Sequence, residues 1–425
     1  MGMGIEKGTD VKQNFKDFFS NLTPAALGTG LVAALFSIMG PGLIVMNAAK
    51  TGNLPIEHAV SWLFIIYVAG GMFTLFLSFR YRLPIVVAYS IPGAILVGNA
   101  LNHITLNEAV GAFIVSGLVV TVLGLSGVVK RVIEHIPLPV MLGMIAGVLL
   151  SFGIKAIQAV VEAPAVAGST FAVFFLLMAM KGLSKKFPPI LGAVIVGGIV
   201  ATALGQTNWG AIEPALAQPV FVMPHFSMQA ILELSLPLII LIVGVQNMQA
   251  VGVLYATGYK PPINAMFTLP GVGTIVNSLF GGHPTVIAGP STAMVSSDAS
   301  GEDKNLRFVA SAVDGIIGIC FGLVASIVIA ISTVVPAQLL SVLGGLAIFA
   351  VFISTFAGAF NGKFKNGAMV AFLIAISNVT VFSVGSAFWA LLIGFVVSLL
   401  LDRDDYKKTA AEKGEADESK KAVTA

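Results

Sequence analysis

The run Pro84-Ile85-Val86-Val87-Ala88-Tyr89-Ser90-Ile91-Pro92-Gly93 is echoed 200 residues later by Pro284-Thr285-Val286-Ile287-Ala288-Gly289-Pro290-Ser291-Thr292. In each copy a proline opens a short β-branched stretch, and a Gly/Pro break follows. β-branched residues favour extended backbone, whereas proline is accepted in the first turn of a helix. Each copy is therefore expected to be a short strand followed by a half helix. Both lie in apolar sequence, and non-helical backbone at membrane depth must be buried in protein or line a cavity. Two half-helix N-termini meeting near the midplane would offer free N–H donors and a partial charge of about +0.5, a setting for a carboxylate or another anion. One such break would read as a kinked span, because Pro and Gly are common in membrane helices. Two at corresponding places point to the binding site of a transporter.

The rest of the chain agrees with a membrane setting. Of 425 residues 57% are apolar and only 10% charged, against about 25% charged in a soluble chain, so too little polar surface exists to coat a water-soluble globule. A net charge of +3 provides no basic field for nucleic acid. Cys320 is the single cysteine, which excludes an intrachain disulfide and a CxxC metal site. The 46 glycines suit helices that pack closely where water supplies no driving force.

Apolar runs divide the chain into fourteen expected spans, at 23–48, 59–79, 84–100, 106–128, 136–160, 167–181 and 188–204, and then at 230–256, 262–280, 284–298, 306–333, 336–360, 366–382 and 384–401. With the N-terminus in the cytoplasm, 21 of the 23 Lys and Arg fall on cytoplasmic segments, leaving Lys50 and Lys155 outside. Shifting by one span would scramble that partition. Seven spans per half put the second half into the membrane upside down, an inverted repeat with the broken spans third and tenth. The expected organisation is an N-terminal tail (1–22), a first repeat (23–204), an external connector (205–229), a second repeat (230–401) and a C-terminal tail (402–425), both tails cytoplasmic. The N-terminal stretch starts its apolar run too late for a cleavable signal and is expected to be retained. With Phe15, Phe18 and Phe19 among Lys12, Lys16 and Asp17, it is either a helix at the membrane surface or a disordered tail.

Candidate site residues cluster around the two breaks. Tyr89 and Ser90 before the first, Pro92 and Gly93 within it, and Gly289, Pro290, Ser291 and Thr292 at the second could supply a ring face, hydroxyls and backbone donors; strand packing and N-capping are the alternative roles. Gln246, Asn247 and Gln249 interrupt the eighth span, where side-chain amides need partners in a ligand, a strand backbone or another helix. Asp314 is the one acid placed deep in an apolar span. A buried carboxyl favours its neutral form, which suits a group that loads and releases a proton; the alternative is a structural acid bonded to a neighbouring helix. Glu108, Glu162 and Glu233 fall near outer span ends, as solvated or snorkelling groups, and Lys155 is expected to snorkel outward. His283 precedes the second strand as a lone interfacial histidine, structural or solvated. The Asp402-Arg403-Asp404-Asp405 cluster marks the exit from the membrane, and no HExxH, GxSxG or P-loop motif occurs. Neither an enzyme nor a metal site is expected.

These residues resemble the benzoate:proton symporter (BenE-type) permeases, and more distantly the nucleobase/ascorbate and sulfate permeases that share a seven-plus-seven inverted fold. The resemblance is carried by Phe79-Arg80-Tyr81-Arg82-Leu83-Pro84, by Ala88-Tyr89-Ser90-Ile91-Pro92-Gly93-Ala94, by the Gln246-Asn247 pair and by Phe280-Gly281-Gly282. It implies a core domain of spans 1–4 and 8–11 moving against a gate domain of spans 5–7 and 12–14, often as a homodimer. On that likeness Gln246 stands where nucleobase permeases hold an essential Glu, and Pro290 about where their second Glu lies, which disfavours a nucleobase ligand. The expected function is proton-coupled import of a small aromatic carboxylate such as benzoate across the plasma (inner) membrane, with Asp314 for proton coupling and no cofactor besides the proton. The alternatives are a uracil/xanthine-type permease and a passive anion channel or uniporter.

Overall fold

The two echoing segments form strands that find each other. The computed structural model describes residues 4–39, 41–129, 137–180, 189–209, 216–377, 379, 381 and 386–409. Val87–Tyr89 (β1) and Thr285–Ile287 (β2) pair antiparallel, with Val87 opposite Ile287, Ala88 opposite Val286 and Tyr89 opposite Thr285. Ser90 N–H to Pro284 O at 3.0 Å and Ala288 N–H to Val86 O at 2.9 Å extend the ladder at both ends. Part of the backbone that a helix would have satisfied internally is thus satisfied by the other copy, and the outward N–H groups of Val86, Val87, Thr285 and Ile287 by side chains of Thr292, Thr74, Thr274 and Asn247, as the lipid setting demands. The 200-residue offset makes Val87 and Ile287 counterparts, so each strand meets its own copy in register, as a two-fold axis between them would give.

The remaining regular structure is helical. In order come α1 (Val11–Ser20), α2 (Pro24–Met39), α3 (Pro41–Thr51), α4 (Ile56–Tyr81), α5 (Ile91–Ala100), α6 (Leu106–Ser126), α7 (Leu138–Glu162), α8 (Ser169–Ala179) and α9 (Pro189–Ala203). They continue as α10 (Met228–Tyr255), α11 (Ile263–Ser278), α12 (Gly289–Ser296), α13 (Phe308–Leu323), α14 (Ala325–Val334), α15 (Ala337–Ala347), α16 (Phe349–Phe360), α17 (Lys365–Ser377) and α18 (Ser386–Leu401). Six helices among the described residues are long and apolar enough to cross a bilayer, or eight when two bent pairs each count as one span. The molecule is a mostly helical polytopic membrane protein. The cytoplasmic placements of Lys130, Arg131, Lys181, Lys185, Lys186, Lys413, Lys420 and Lys421, and His135, lie outside the described residues.

Two glycine crossings frame the strands. Where α4 packs on α13, a Cβ on Gly71 would meet the Gly315 carbonyl, and one on Gly315 would lie 2.9 Å from the Gly71 carbonyl. Where α6 packs on α11, a Cβ on Gly117 would lie 2.7 Å from the Gly271 carbonyl, and one on Gly271 2.8 Å from the Gly117 carbonyl. Contact this close requires glycine on both sides, and dispersion between the touching backbones is what holds such helices together in lipid. Thr74 on α4 and Thr274 on α11, again 200 residues apart, each bind a strand: Val87 N–H reaches Thr74 Oγ1 at 2.8 Å and Thr285 N–H reaches Thr274 Oγ1 at 3.1 Å. A second set of helices packs on itself, with α7 against α15, α16 and the α17–α18 pair, and α8 against α9, and meets the first set where α15 touches α3 and α7 touches α5.

At one end the N-terminal stretch is folded rather than disordered. Asp10 caps α1, accepting from Lys12 N at 3.0 Å; Phe18 is buried against Phe79, while Phe15 and Phe19 stay exposed. Asp17 pairs with Arg82. The Glu6 carboxylate accepts from Asn264 N at 2.7 Å and Ala265 N at 3.0 Å, capping α11 from outside its own helix. Asp402 serves α17 likewise, accepting from Asn366 Nδ2 at 2.8 Å and Gly367 N at 3.0 Å, so the acidic cluster at 402–405 begins with a helix cap.

Candidate functional site

Beyond each strand the chain turns into a half helix, and the two starts differ. α5 is capped by its own Ser90, whose Oγ accepts from Gly93 N at 3.0 Å. That hydroxyl, already an acceptor, donates to Gln246 Oε1 at 2.8 Å. α12 starts at Gly289-Pro290 with no side-chain cap, so its N-terminal dipole is the less compensated of the two. Gly289 leaves room there for the Gln249 side chain: a Cβ would lie 2.8 Å from Gln249 Oε1 and would push that side chain aside.

Gln246 reaches the strands because α10 is locally widened. Pro237 has no N–H to give, and π-helical turns at Ile231–Ser235 and Leu241–Gln246 flank it. Such insertions rotate the following face of a helix and recur at functional sites. Since Gln246 accepts through Oε1, its Nε2 donors are the ones available to a ligand. Tyr89, Gln246, Gln249, Gly289, Pro290 and Ser291 meet around one cavity of about 60 Å³, closed by Phe36 and Ser37 of α2 and by the strand backbones. Ser37 Oγ and Ser291 Oγ lie 3.1 Å apart, tying α2 to the open end of α12.

The other expected site residues stand behind this wall. Asn247, one position on and about 100° around the helix, is fully buried; Oδ1 accepts from Ile287 N at 2.8 Å and Nδ2 donates to Met266 O at 3.1 Å, pinning β2 to α11. Thr292 Oγ1 accepts from Val86 N at 3.2 Å and so holds the residue before β1. Ser90, Pro92 and Gly93 are buried in the α5 start, outside the cavity lining. Gln249, named only as one of three amides, is a lining residue, and Phe36 and Ser37 carried no sequence signal beyond lying in an apolar span.

His283 is fully buried, and its surroundings fix its tautomer. Trp62 Nε1, which only donates, lies 2.8 Å from Nδ1; the Ser90 carbonyl, which only accepts, lies 2.8 Å from Nε2. The proton is therefore on Nε2, and the chain Trp62, His283, Ser90, Gln246 runs from α4 into the cavity wall. Glu233 differs from its expected solvated position: it is buried and bonded to His103 Nε2.

On the far side of Tyr89 lies a smaller cavity of about 20 Å³, lined by Ser37, Tyr67, Ala88, Tyr89 and Asp314 among others. Asp314, on α13, is 7% exposed, and its Oδ1 has no hydrogen-bond partner. Among the described residues no group of three or more His, Cys, Asp or Glu could hold a metal ion.

Two strands meeting among apolar helices, with half helices opening onto a shared cavity, define a polytopic membrane transporter. The chain belongs to the benzoate membrane transport protein family, which it matches over residues 20–400. It is 30% identical over 397 residues to inner membrane protein YdcO of Escherichia coli (strain K12), covering 91% of this chain and 99% of that protein. It is 28% identical over 376 residues to the benzoate membrane transport protein of Acinetobacter baylyi (strain ATCC 33305 / BD413 / ADP1), covering 88% and 94%. The fold is similar to that of the transmembrane domain of a cyanobacterium bicarbonate transporter BicA, with a TM-score of 0.61 at 18% identity, covering 88% of this chain and 97% of that one. It is also similar to murine Slc26a9 in the inward-facing state, with a TM-score of 0.56 at 16% identity over 90% and 68%. At these identities the two structures speak to fold alone.

Proposed function

We propose that the protein is a secondary active transporter importing a small aromatic carboxylate such as benzoate together with a proton, by alternating access. The observation that carries this reading is the cavity where the uncapped start of α12, the amides of Gln246 and Gln249, and the Tyr89 and Phe36 rings converge. The carboxylate accepts from the first-turn N–H groups of α12, from Ser291 Oγ and from Gln246 Nε2, while the aromatic ring packs on Tyr89 and Phe36. Ser90, Pro92, Gly93, Asn247 and Thr292 act by holding the strand ends and half-helix starts in place. At about 60 Å³ the cavity is smaller than the roughly 150 Å³ apolar cavity that takes benzene, so a ring enters as the surrounding helices separate.

In this reading the chain crosses the membrane fourteen times as two inverted sets of seven, with both tails in the cytoplasm, in an inner membrane. The in-register meeting of Val87 with Ile287, and the matching crossings at Gly71–Gly315 and Gly117–Gly271, support the repeat. The helices around the strands form the core, α7–α9 and α15–α18 form the gate, and two copies assemble as a homodimer. Asp314 carries the coupling proton: it is buried, and one carboxyl oxygen is unpartnered beside the strands. Moving a lone monoanion against an inside-negative potential costs about 2.3 kcal/mol per 100 mV, which a co-transported proton cancels.

Uptake into proteoliposomes under an imposed pH gradient, across a panel of aromatic acids and nucleobases, tests the reading. Accumulation of benzoate above its external concentration is expected. Competition by uracil or xanthine and not by benzoate would select a nucleobase permease, and flux that never accumulates would select a channel or uniporter.

A further inference from the structure

The substrate cavity and the Asp314 cavity share three lining residues, Ser37, Ala88 and Tyr89. Tyr89 is therefore a partition, with a cavity on each side. Its hydroxyl lies 2.6 Å from the Tyr67 hydroxyl, and both are within reach of the Ser37 carbonyl, Tyr67 at 2.9 Å and Tyr89 at 3.0 Å. Two hydroxyl protons serve three short contacts. If both pointed at the carbonyl, two oxygens 2.6 Å apart would have no proton between them, so one hydroxyl donates to the carbonyl and the other donates to the first. Two such arrangements exist, differing only in which way the protons point.

Beyond Tyr67 lies the cavity of about 20 Å³, enough for one water, which needs about 10–15 Å³ and two or more polar partners. The unpartnered Oδ1 of Asp314 and the tyrosine hydroxyls supply those partners. Tyr67 from α4 and Tyr89 from β1 are the other titratable groups lining it; no Lys, Arg or His does. Of the other elements packed on α13, neither α2, α12 nor α14 carries a titratable side chain.

We propose that Tyr67 is a proton-carrying residue, linking the substrate cavity to Asp314 through Tyr89 on one side and a single water on the other. This rests on the assignment of the coupling proton to Asp314. A hydronium on the substrate side gives a proton to the Tyr89 oxygen; in the arrangement where Tyr89 donates to Tyr67, Tyr89 passes its own proton there, the Tyr67 hydroxyl turns its own proton from the Ser37 carbonyl to the enclosed water, and that water protonates Asp314 Oδ1. Each intermediate oxygen gains one proton and loses one, so the net change is hydronium plus carboxylate to water plus carboxylic acid. Tyr89 touches both the ligand and the relay, so occupancy of the substrate cavity and loading of Asp314 act on one hydroxyl pair.

Tyr67→Phe removes the hydroxyl and keeps the ring that packs on Tyr89 and Phe321. The full-length variant is compared with wild type and Asp314→Asn in proteoliposomes, measuring benzoate exchange without a gradient and net uptake under a one-unit pH gradient, which supports about tenfold accumulation for one proton per monoanion. Exchange near the wild-type rate with net uptake at least about tenfold slower is expected for Tyr67→Phe, since every 1.36 kcal/mol added to a barrier is tenfold. Wild-type net uptake by Tyr67→Phe, with Asp314→Asn defective, overturns the relay and leaves the Asp314 assignment standing. Full accumulation by Asp314→Asn overturns that assignment itself. Wild-type protein gives a second reading that does not depend on the variant folding: D2O slows net uptake more than exchange if the relay operates, and equal slowing of both overturns it.

Discussion

Trp62 Nε1 donates to His283 Nδ1 across 2.8 Å, joining α4 to the residue that leads into β2. The bond leaves Nε2 as the donor to the Ser90 carbonyl, so a tryptophan outside the cavity helps set the backbone at the α5 start. Trp62→Phe keeps an aromatic ring but is smaller, so it leaves both a void in a fully buried position and the His283 Nδ1 acceptor unpaired, the latter alone a loss of about 1–3 kcal/mol. Thermal unfolding in detergent should show the destabilisation, and an unchanged melting curve would remove Trp62 from any positioning role.

Gln246 and Asn247 are neighbours with opposite expected phenotypes. Gln246→Ala removes a ligand donor and should weaken apparent benzoate affinity more than it lowers stability. Asn247→Ala leaves the Ile287 N–H without its partner, and should cost about 1–3 kcal/mol of stability. Binding isotherms and melting curves on both variants separate the two roles; untouched affinity in Gln246→Ala would take that residue out of the site.

The glycine crossings predict sharp positional contrast. A methyl at Gly271 would press within 2.5 Å of the Thr121 backbone nitrogen, and one at Gly252 meets nothing within 4 Å. Overpacking of this kind costs about 1–3 kcal/mol, so Gly271→Ala should lose folded protein by size-exclusion profile while Gly252→Ala does not. Equal behaviour of the pair would contradict the tight α6–α11 crossing.

Hydrogen bonds from Arg82 and then Gln13 hold the Asp17 carboxyl below its usual range. A depressed folded-state pKa contributes stability that is present above the unfolded value of about 3.9 and is lost as pH falls through the folded value. Asp17→Asn should therefore flatten the pH dependence of the melting temperature in acid, below about pH 4, and change its slope little near neutrality. A wild-type acid slope in the variant would show that the Arg82 pair does not act on folding.

The strand and half-helix pairs were legible because proline, glycine and β-branched residues punctuate backbone locally, and the echo at 200 residues tied the two places together. What the sequence could not resolve was direction. Gln246 and Asn247 look alike in an apolar run, and only the widened turns of α10 decide that one faces the cavity and the other the back of β2. Ser37 and Tyr67 had no distinguishing spacing, since a hydroxyl in a membrane helix commonly bonds its own backbone. Glu233, expected near an outer span end as a solvated group, is buried, and His283 takes the structural one of its two expected roles; counting along a chain gives height in the bilayer and says nothing of which neighbours cover a side chain. Phe15, Phe18 and Phe19 left a surface helix and a disordered tail both open, because the docking of α1 through Phe18 and Asp17 depends on Phe79 and Arg82, more than sixty residues away.

The pairing of β1 with β2 also constrains biosynthesis. When residues 87–89 leave the ribosome, the strand they must bond is still about 200 codons away, a delay of about 10–40 s at 5–20 residues per second. Naked amide groups in hydrocarbon cost several kcal/mol each, so the nascent first half has to wait in a sheltered, hydrated place, at the insertion machinery or within a loose bundle, until its mate arrives. Split between residues 204 and 230 and expressed as two polypeptides, the fragments should each be degraded alone and rescue one another when co-expressed.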